Sequence, residues 1–544
     1  MLKRKKGMIL AGAMSALLAV GGCTGGTKNA TMFTEQQLKE IAASEYPIQT
    51  EETLKVWTER GGAAVGNFSA PMEFPAMIQY QENLGVKLDW TFAAPTQLEQ
   101  SFNLMVASGD LPDIIGYYFA NTGKEGMPGG PGKAIEDGWL ADMSPYLKDY
   151  APHYYELLQK DEWASKNVKT DKGQVYMAPL YIRSEDYPEG GVAAGYFFRK
   201  DWLDDLGLAV PETIDEWEVV LRAFKEQKGA STPFSLMTSW MDRGIASAFD
   251  VHLGWYQEKG VVKYGYAEPN YKNFVERMNR WYKEGLLDKN YGLAERKTIQ
   301  ANLLNGQTGA TFEWIARIPS FTQAGAEIDP NFKLIVAPYP VAHKGDTPKF
   351  GTMDPRVYFA GWGIGGTSKK KELAMKVIDY GYSEKGQEFK RWGTKDVTYV
   401  MENNTHKFTG LITDNPDGLT FDEAKTYYYA NVQCPGIISR EDLLSKAPVD
   451  EAYRQLVEQS ITNCSKNDIE KYRLPYISPT SEESAEYTKI QTDILKYVEE
   501  MLIKFITDKE PIENFESYLA ELDARGMQKL KDIMQRAYDR YLNR

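Results

Sequence analysis

TLKVWTERGGAAVGNFSAPMEFPAMIQYQENLGVKLDWTFAAPTQLEQSFNLMVASGDLPDII, residues 53–115, decides the architecture. Its first six residues alternate and are rich in β-formers, which predicts a strand over 53–58. A helix follows from about Pro71 to Leu84, stopped by Gly85. VKLDWTF (86–92) reads as a second strand. Residues 97–108 have helical spacing and Gly109 closes them. LPDII (111–115) is short and apolar, as a buried strand should be. Strand, helix, strand, helix and strand in succession argue for an α/β lobe around a mainly parallel sheet.

The same grammar runs on through the chain. YMAPLY (176–181) predicts a strand crossing Pro179, and GYFFR (195–199) begins another. Residues 201–206 form a short helix ended by Gly207. PETIDEWEVVLRAFKEQ (211–227) is a strong helix, with Thr213 as N-cap and Glu216 three residues on as its capping box. Further helices fit 271–284 and 372–382, and the last third is mostly helical, notably 484–507 and 512–543. No repeats or heptads are present. About 500 residues beyond the first segment exceed one hydrophobic core, so at least two lobes are expected.

MLKRKKGMILAGAMSALLAVGGC (1–23) has a basic head (Lys3, Arg4, Lys5, Lys6), an apolar run from Met8 to Val20, and small residues before Cys23. That is the layout of a secretory signal, since a membrane span needs about 20 apolar residues. The ending Val20-Gly21-Gly22-Cys23 resembles a bacterial lipobox, which implies an acylated Cys23 and a protein held on the extracellular face of a cell membrane. Residues 1–22 are then the signal, and 23–44 the lipid anchor and flexible tether. The chain carries a net charge of −13; the signal holds four cations and no acid, so the remainder stands at −17. So acidic a protein is poorly suited to nucleic acid. Cys434 and Cys464 remain in an oxidising compartment that permits one disulfide, and spacing alone leaves their pairing open.

Four histidines (His153, His252, His343, His406) are scattered, with no two at helical ligand spacing, so neither a metal site nor a catalytic triad is expected. No cofactor is expected either. Gly361-Trp362-Gly363-Ile364-Gly365-Gly366 satisfies G-x-G-x-x-G after an apolar run and before a helix. It lies deep in the chain, however, and lacks the second strand ending in an acid that a dinucleotide site needs. Glycines that let a strand pass close to another backbone account for it better. Twelve Trp and 34 Tyr supply flat, amphipathic rings, the kind of surface that complements the C–H face of a sugar.

Residues 81–90 (QENLGVKLDW) and 104–115 (LMVASGDLPDII) resemble the family 1 extracellular solute-binding proteins of ABC importers. So do 199–207 (RKDWLDDLG) with 211–217 (PETIDEW), and 282–288 (YKEGLLD). The helical tail ending at 537–541 (AYDRY) is similar to that of their large lipoprotein branch. The resemblance implies a two-lobed, periplasmic-binding-protein-like α/β fold of type II, larger class. That fold has central, mainly parallel sheets, a hinge between the lobes and a helical C-terminal region. Lobe 1 would take 45–180 and about 338–400; lobe 2 would take 181–337 and about 401–544.

The resemblance further implies a monomer that captures a carbohydrate, an oligosaccharide in particular, in the inter-lobe cleft and delivers it to ABC permease subunits without catalysis. Matching segments place Thr58, Glu59 and Arg60 in a hydroxyl-binding loop. Tyr117 and Tyr118 come after the third strand, and Trp314 is a stacking platform in the second lobe. Trp240 and Trp362 come from loops expected to face the cleft. Many large relatives carry a Gly/Asp-rich calcium loop after the helix matching 211–227. Here that stretch is only Lys228–Thr232, which argues against calcium there. The alternatives are a secreted polysaccharide-acting enzyme and a receptor for a non-sugar solute.

Overall fold

A computed structural model of the chain describes residues 31–59, 73–94, 97–120, 127, 129–183, 194–241, 244–352, 355–430, 435–438 and 451–544. Cys23, Arg60 and Cys434 lie outside them.

The chain begins with α1 (Glu35–Ala43), and the alternation after it resolves as expected. It gives β1 (Thr53–Glu59), α2 (Pro75–Leu84), β2 (Lys87–Ala93), α3 (Leu98–Ser108) and β3 (Ile114–Tyr117). β1 runs parallel to β2 (Val56 opposite Trp90) and to β3 (Val56 opposite Ile114). The sheet is completed by β4 (Ala178–Ile182), β8 (Val357–Ile364) and β9 (Gly436–Ile438), in the order β9-β4-β8-β3-β1-β2. β8 alone runs against its neighbours. Lobe 2 is built on β5 (Ala194–Arg199) between β6 (Ala310–Trp314) and β7 (Leu334–Ala337), with β5 antiparallel to both. Its core is strongly aromatic, with Trp217 edge-on to Phe198 at 4.9 Å and to Phe234 at 5.8 Å.

The capping box predicted at Thr213 is formed. Glu216 donates its backbone N–H to Thr213 Oγ1 at 3.1 Å, and its carboxylate accepts from the Thr213 N–H. The helix it starts spans Ile214–Gln227. After it Lys228 pairs with Asp205 at 2.7 Å.

Three boundaries differ from the sequence reading. The expected tether is docked onto lobe 1 from Met32, whose N–H donates to the Lys369 carbonyl. α1 carries its own capping box and buries Ile41. Residues 401–430 and 435–438, assigned to lobe 2, belong to lobe 1 instead. Phe408, Tyr429 and Ile412 join its core, Tyr427 packs on Phe74 at 5.1 Å, and β9 extends its sheet. Finally, the helix expected over 512–543 is broken at Gly526, whose φ of 99° no helix interior accepts. The break leaves Phe515–Ala524 and a last helix, Met527–Leu542.

The glycine-rich stretch behaves as a close-packed strand end. A Cβ on Gly365 would lie 2.0 Å from the Pro112 carbonyl oxygen, and one on Gly366 2.0 Å from that of Gly138. Cys464 is a buried free thiol 3.8 Å from the Ala337 carbonyl.

Candidate functional site between the lobes

The chain leaves lobe 1 after Ile182 and enters lobe 2 at Ala194; after Ala337 it stays on lobe 2, where Tyr339 and Phe350 join the core and Val341 bonds Glu212, and it returns at Val357, later than the expected 338. The strand ends that meet these connections, Ile182 and Val357 in lobe 1 and Ala194 in lobe 2, mark the two candidate rims. In lobe 2, Ala194 pairs with Trp314, so Trp314 stands at that rim. In lobe 1, Val357 pairs with Tyr181, and the Ala120 N–H donates to the Phe359 carbonyl. The carboxyl ends of β1 and β3, bearing Glu59 and Tyr117, share the lobe 1 rim. Such carboxyl ends are where open α/β sheets bind ligands.

On the lobe 1 rim Tyr118 donates its hydroxyl to the Glu59 carboxylate, and its ring lies 5.4 Å from that of Phe359. All three side chains are partly exposed. Thr58 is buried behind them, against Gly116, where any side chain would collide with its hydroxyl.

Three residues expected in the cleft are instead in the core, Thr58 within β1 being the first of them. Tyr117 is 4 % exposed and stacks flat on Phe102 at 3.8 Å. Trp362 is 2 % exposed, sits mid-strand with pairing on both sides, and packs edge-on to Trp90 at 6.0 Å. The reason is register: Tyr117 and Trp362 belong to paired rows inside the sheet, whereas Tyr118 lies one step beyond the end of β3 and Phe359 in the irregular stretch of β8 between its Val357 and Gly361 pairings.

The lobe 2 rim is built around Glu313. This carboxylate is 2 % exposed and accepts from both Nε (3.1 Å) and Nη2 of Arg296, from Gln300 Nε2 at 2.8 Å, and from the Trp314 N–H at 2.9 Å. A buried charge is tolerable only when paired and hydrogen-bonded in this way. The Arg296 guanidinium in turn lies over the Trp240 ring at 5.3 Å, and Trp240 leans on Phe312 at 5.6 Å. Trp240 and Trp314 are both partly exposed.

Trp240 and Trp314, both singled out from the sequence, lie at this rim, whereas Arg296, Glu313, Gln300 and Phe359 were not singled out. A carboxylate inside the apolar strand Ala310–Trp314 was the available signal, because such a group demands a partner. Nothing in the spacing pointed to Arg296.

The two rims thus offer flat rings, a carboxylate and a guanidinium, which suits a ligand with apolar faces and many hydroxyls. Among the described residues no group of three or more His, Cys, Asp or Glu could hold a metal ion. The histidines are elsewhere: His153 bonds Asp379, His252 packs on Phe350, and His406 stacks on Trp392.

Comparison with known proteins gives the frame. LipO of Bacillus subtilis is 27% identical over 274 residues, 48% of this chain and 51% of that protein, so the chain matches about half of its length. The fructooligosaccharide ABC transporter substrate-binding protein FusA of Streptococcus pneumoniae is 22% identical over 560 residues, covering 99% of this chain and 98% of FusA. The structure of the alginate-binding protein AlgQ2 shares the fold, with a TM-score of 0.70 at 24% identity over 90% of this chain and 99% of AlgQ2. The profile of the bacterial extracellular solute-binding proteins matches residues 66–388, running from lobe 1 through lobe 2 and back across both rims. This chain belongs to the bacterial extracellular solute-binding protein family.

Proposed function

We propose that this protein is the carbohydrate receptor of an ABC importer, capturing an oligosaccharide between its lobes and handing it to permease subunits without transforming it. The observation that carries the reading is the lobe 2 rim, where Trp240 and Trp314 flank the Arg296–Glu313 pair, with Glu59 and Tyr118 joined on the lobe 1 rim. Aromatic faces suit the C–H faces of sugar rings, and charged groups bond paired hydroxyls. Relatives named for fructooligosaccharide and for alginate point the same way. Glu59, Arg60, Tyr118, Trp240 and Trp314 are the proposed contacts, and hinge closure around the ligand is the signal the permease reads. The receptor acts as a monomer, tethered through an acylated Cys23.

A thermal-shift screen over plant and microbial oligosaccharides tests this. A ligand at 100 times its Kd adds about 2.7 kcal/mol of stability. A shift with peptides and none with any sugar would sink the assignment. For the tether, Cys23→Ala should abolish acyl labelling and release the protein into the medium.

A further inference from the structure

The lobe 1 sheet has two ends, and only one of them meets lobe 2. The chain crosses at the carboxyl end of β4, beside the rim that carries Glu59 and Tyr118. At the opposite end the Lys370 ammonium donates to the carbonyl of Thr53, the first residue of β1, at 2.8 Å. β8 runs against β3 with Ile364 opposite Ile114, so Lys369 and Lys370, which follow it, belong to this amino-end pole. β1 spans Thr53–Glu59, which sets the rim roughly 20 Å from the pole.

The chain is fastened to that pole at the start of its described part. Met32 donates its N–H to the Lys369 carbonyl at 3.0 Å, and Thr31 its hydroxyl to the Glu372 carboxylate at 3.0 Å. From there the segment follows the helix Lys371–Tyr380. Phe33, Ile41, Tyr46 and Ile48 are buried in the lobe 1 core. Tyr46 packs edge-on to Tyr380 at 4.9 Å and donates its hydroxyl to the Lys376 carbonyl at 2.7 Å. The Ile48 N–H donates to the Leu84 carbonyl at 2.7 Å. Contacts spread over the whole of 31–48 make it part of the lobe, so only the residues before Thr31 can serve as leash.

That leash is short. Cys23 precedes Thr31 by eight residues, a reach of at most about 28 Å. A tether free as far as Ser44, as its composition suggests, would reach roughly 75 Å. A folded chain of this length has a radius of gyration of about 24 Å, so the leash is shorter than the molecule is wide. Lys55, Lys87, Lys369 and Glu51, exposed at the pole, are polar and suit the water beside lipid headgroups.

We propose that the docked segment 31–48 seats the protein on its membrane by the amino-end pole of lobe 1. The partner of this surface is the lipid bilayer that holds the acyl chains of Cys23. The pole stays within the leash of the bilayer, while the cleft and lobe 2 stand beyond it. The inference rests on the proposed acylation of Cys23 and adds which end of the molecule the membrane meets.

The test is energy transfer from the full acylated protein to a headgroup dye in phosphatidylcholine–phosphatidylglycerol vesicles. Donor dyes are placed by Lys55→Cys at the pole and by Ile328→Cys, each with Cys434→Ser. Ile328 is exposed on lobe 2, beside the Asp329 that pairs with Arg199 at the end of β5 remote from the rim. Transfer at the pole should exceed that at position 328 severalfold. About fifteen Gly and Ser residues inserted after Gly26 lengthen the leash by roughly 50 Å and should bring the pole value down toward the other. Ile41→Asp, which undocks α1, should do the same, and the insertion decides where that variant does not fold. Equal transfer at the two positions overturns the seating and leaves the acyl anchor standing. So does a pole value that the insertion leaves unchanged. Failure of the wild type to associate with vesicles, matched by Cys23→Ala, overturns anchor and seating together.

Discussion

A methyl group on Gly116 would sit 2.4 Å from Thr58 Oγ1 and 3.1 Å from the Trp362 ring. This one position lets β1 and β8 close on β3 from either side and so holds the lobe 1 rim in place. Gly116→Ala should destabilise the fold by about 1–3 kcal/mol through overpacking, seen as a lower urea midpoint with an unchanged slope. At the rim the expectation is different in kind. Trp314→Ala should weaken saccharide binding about tenfold, roughly 1.4 kcal/mol, and leave the unfolding midpoint nearly unmoved, because its ring is only partly buried. Equal losses of affinity and of stability would show Trp314 to be a packing residue. Tyr117 and Trp362, buried in the sheet, stand only one and three residues from Tyr118 and Phe359 on the rim. All are aromatic and all follow or occupy strands, so residue type could not separate platform from core; only position relative to the paired rows does.

Local elements were the most legible level, because their signals are local. The Thr213–Glu216 capping box, the glycines at the ends of α2 and α3, and the alternation in β1 are short-range stereochemistry. The helix Lys371–Tyr380 shows what such signals miss. Lys371, Glu372, Lys376 and Asp379 are all buried, though their spacing reads as a solvent-facing stripe. Asp379 is wholly enclosed and bonds His153 Nδ1 at 2.6 Å and the Tyr154 N–H at 2.9 Å, tying helix Pro152–Lys160 to it.

The bond to Asp379 raises the His153 pKa above its ordinary value, against its partial burial and the nearby Lys376, with Glu156 adding to the rise. The folded state thus holds that proton more tightly than the unfolded chain. The contribution is fully present below the unfolded value of about 6.5 and is lost as pH rises through the raised folded value. Urea midpoints of wild type and His153→Gln should therefore differ most near pH 5.5 and converge toward pH 9. A gap that widens with pH would contradict the assignment.

The last helix, Met527–Leu542, belongs to both lobes. Met527 and Leu530 sit in the lobe 2 core, while the residues around its far end are bound to lobe 1. Asp171 accepts from Arg540 Nε at 2.8 Å and Arg544 Nε at 2.9 Å. Arg544 also donates to the carbonyls of Lys166 and Lys169, and Asn167 donates to the Tyr541 hydroxyl. This strap limits separation of the lobes on one side. Arg540→Ala with Arg544→Ala should cost about 2–3 kcal/mol, as for hydrogen bonds to charged groups, and enlarge the ligand-free radius of gyration by small-angle scattering. The saturated radius should stay the same. An unchanged ligand-free radius would show the strap to be structural decoration. At this scale the chain order of strands and helices was legible from period and short motifs, the two-lobe count from length, and the family from the resemblance of segments such as 81–90 and 104–115. These depend on neighbours within a few residues or on total length. The membership of 401–430 and 435–438, the docking of α1, the Arg296–Glu313 fork and the strap were not. Each joins groups brought together by packing, and linear spacing holds no record of which distant surface a given side chain will meet.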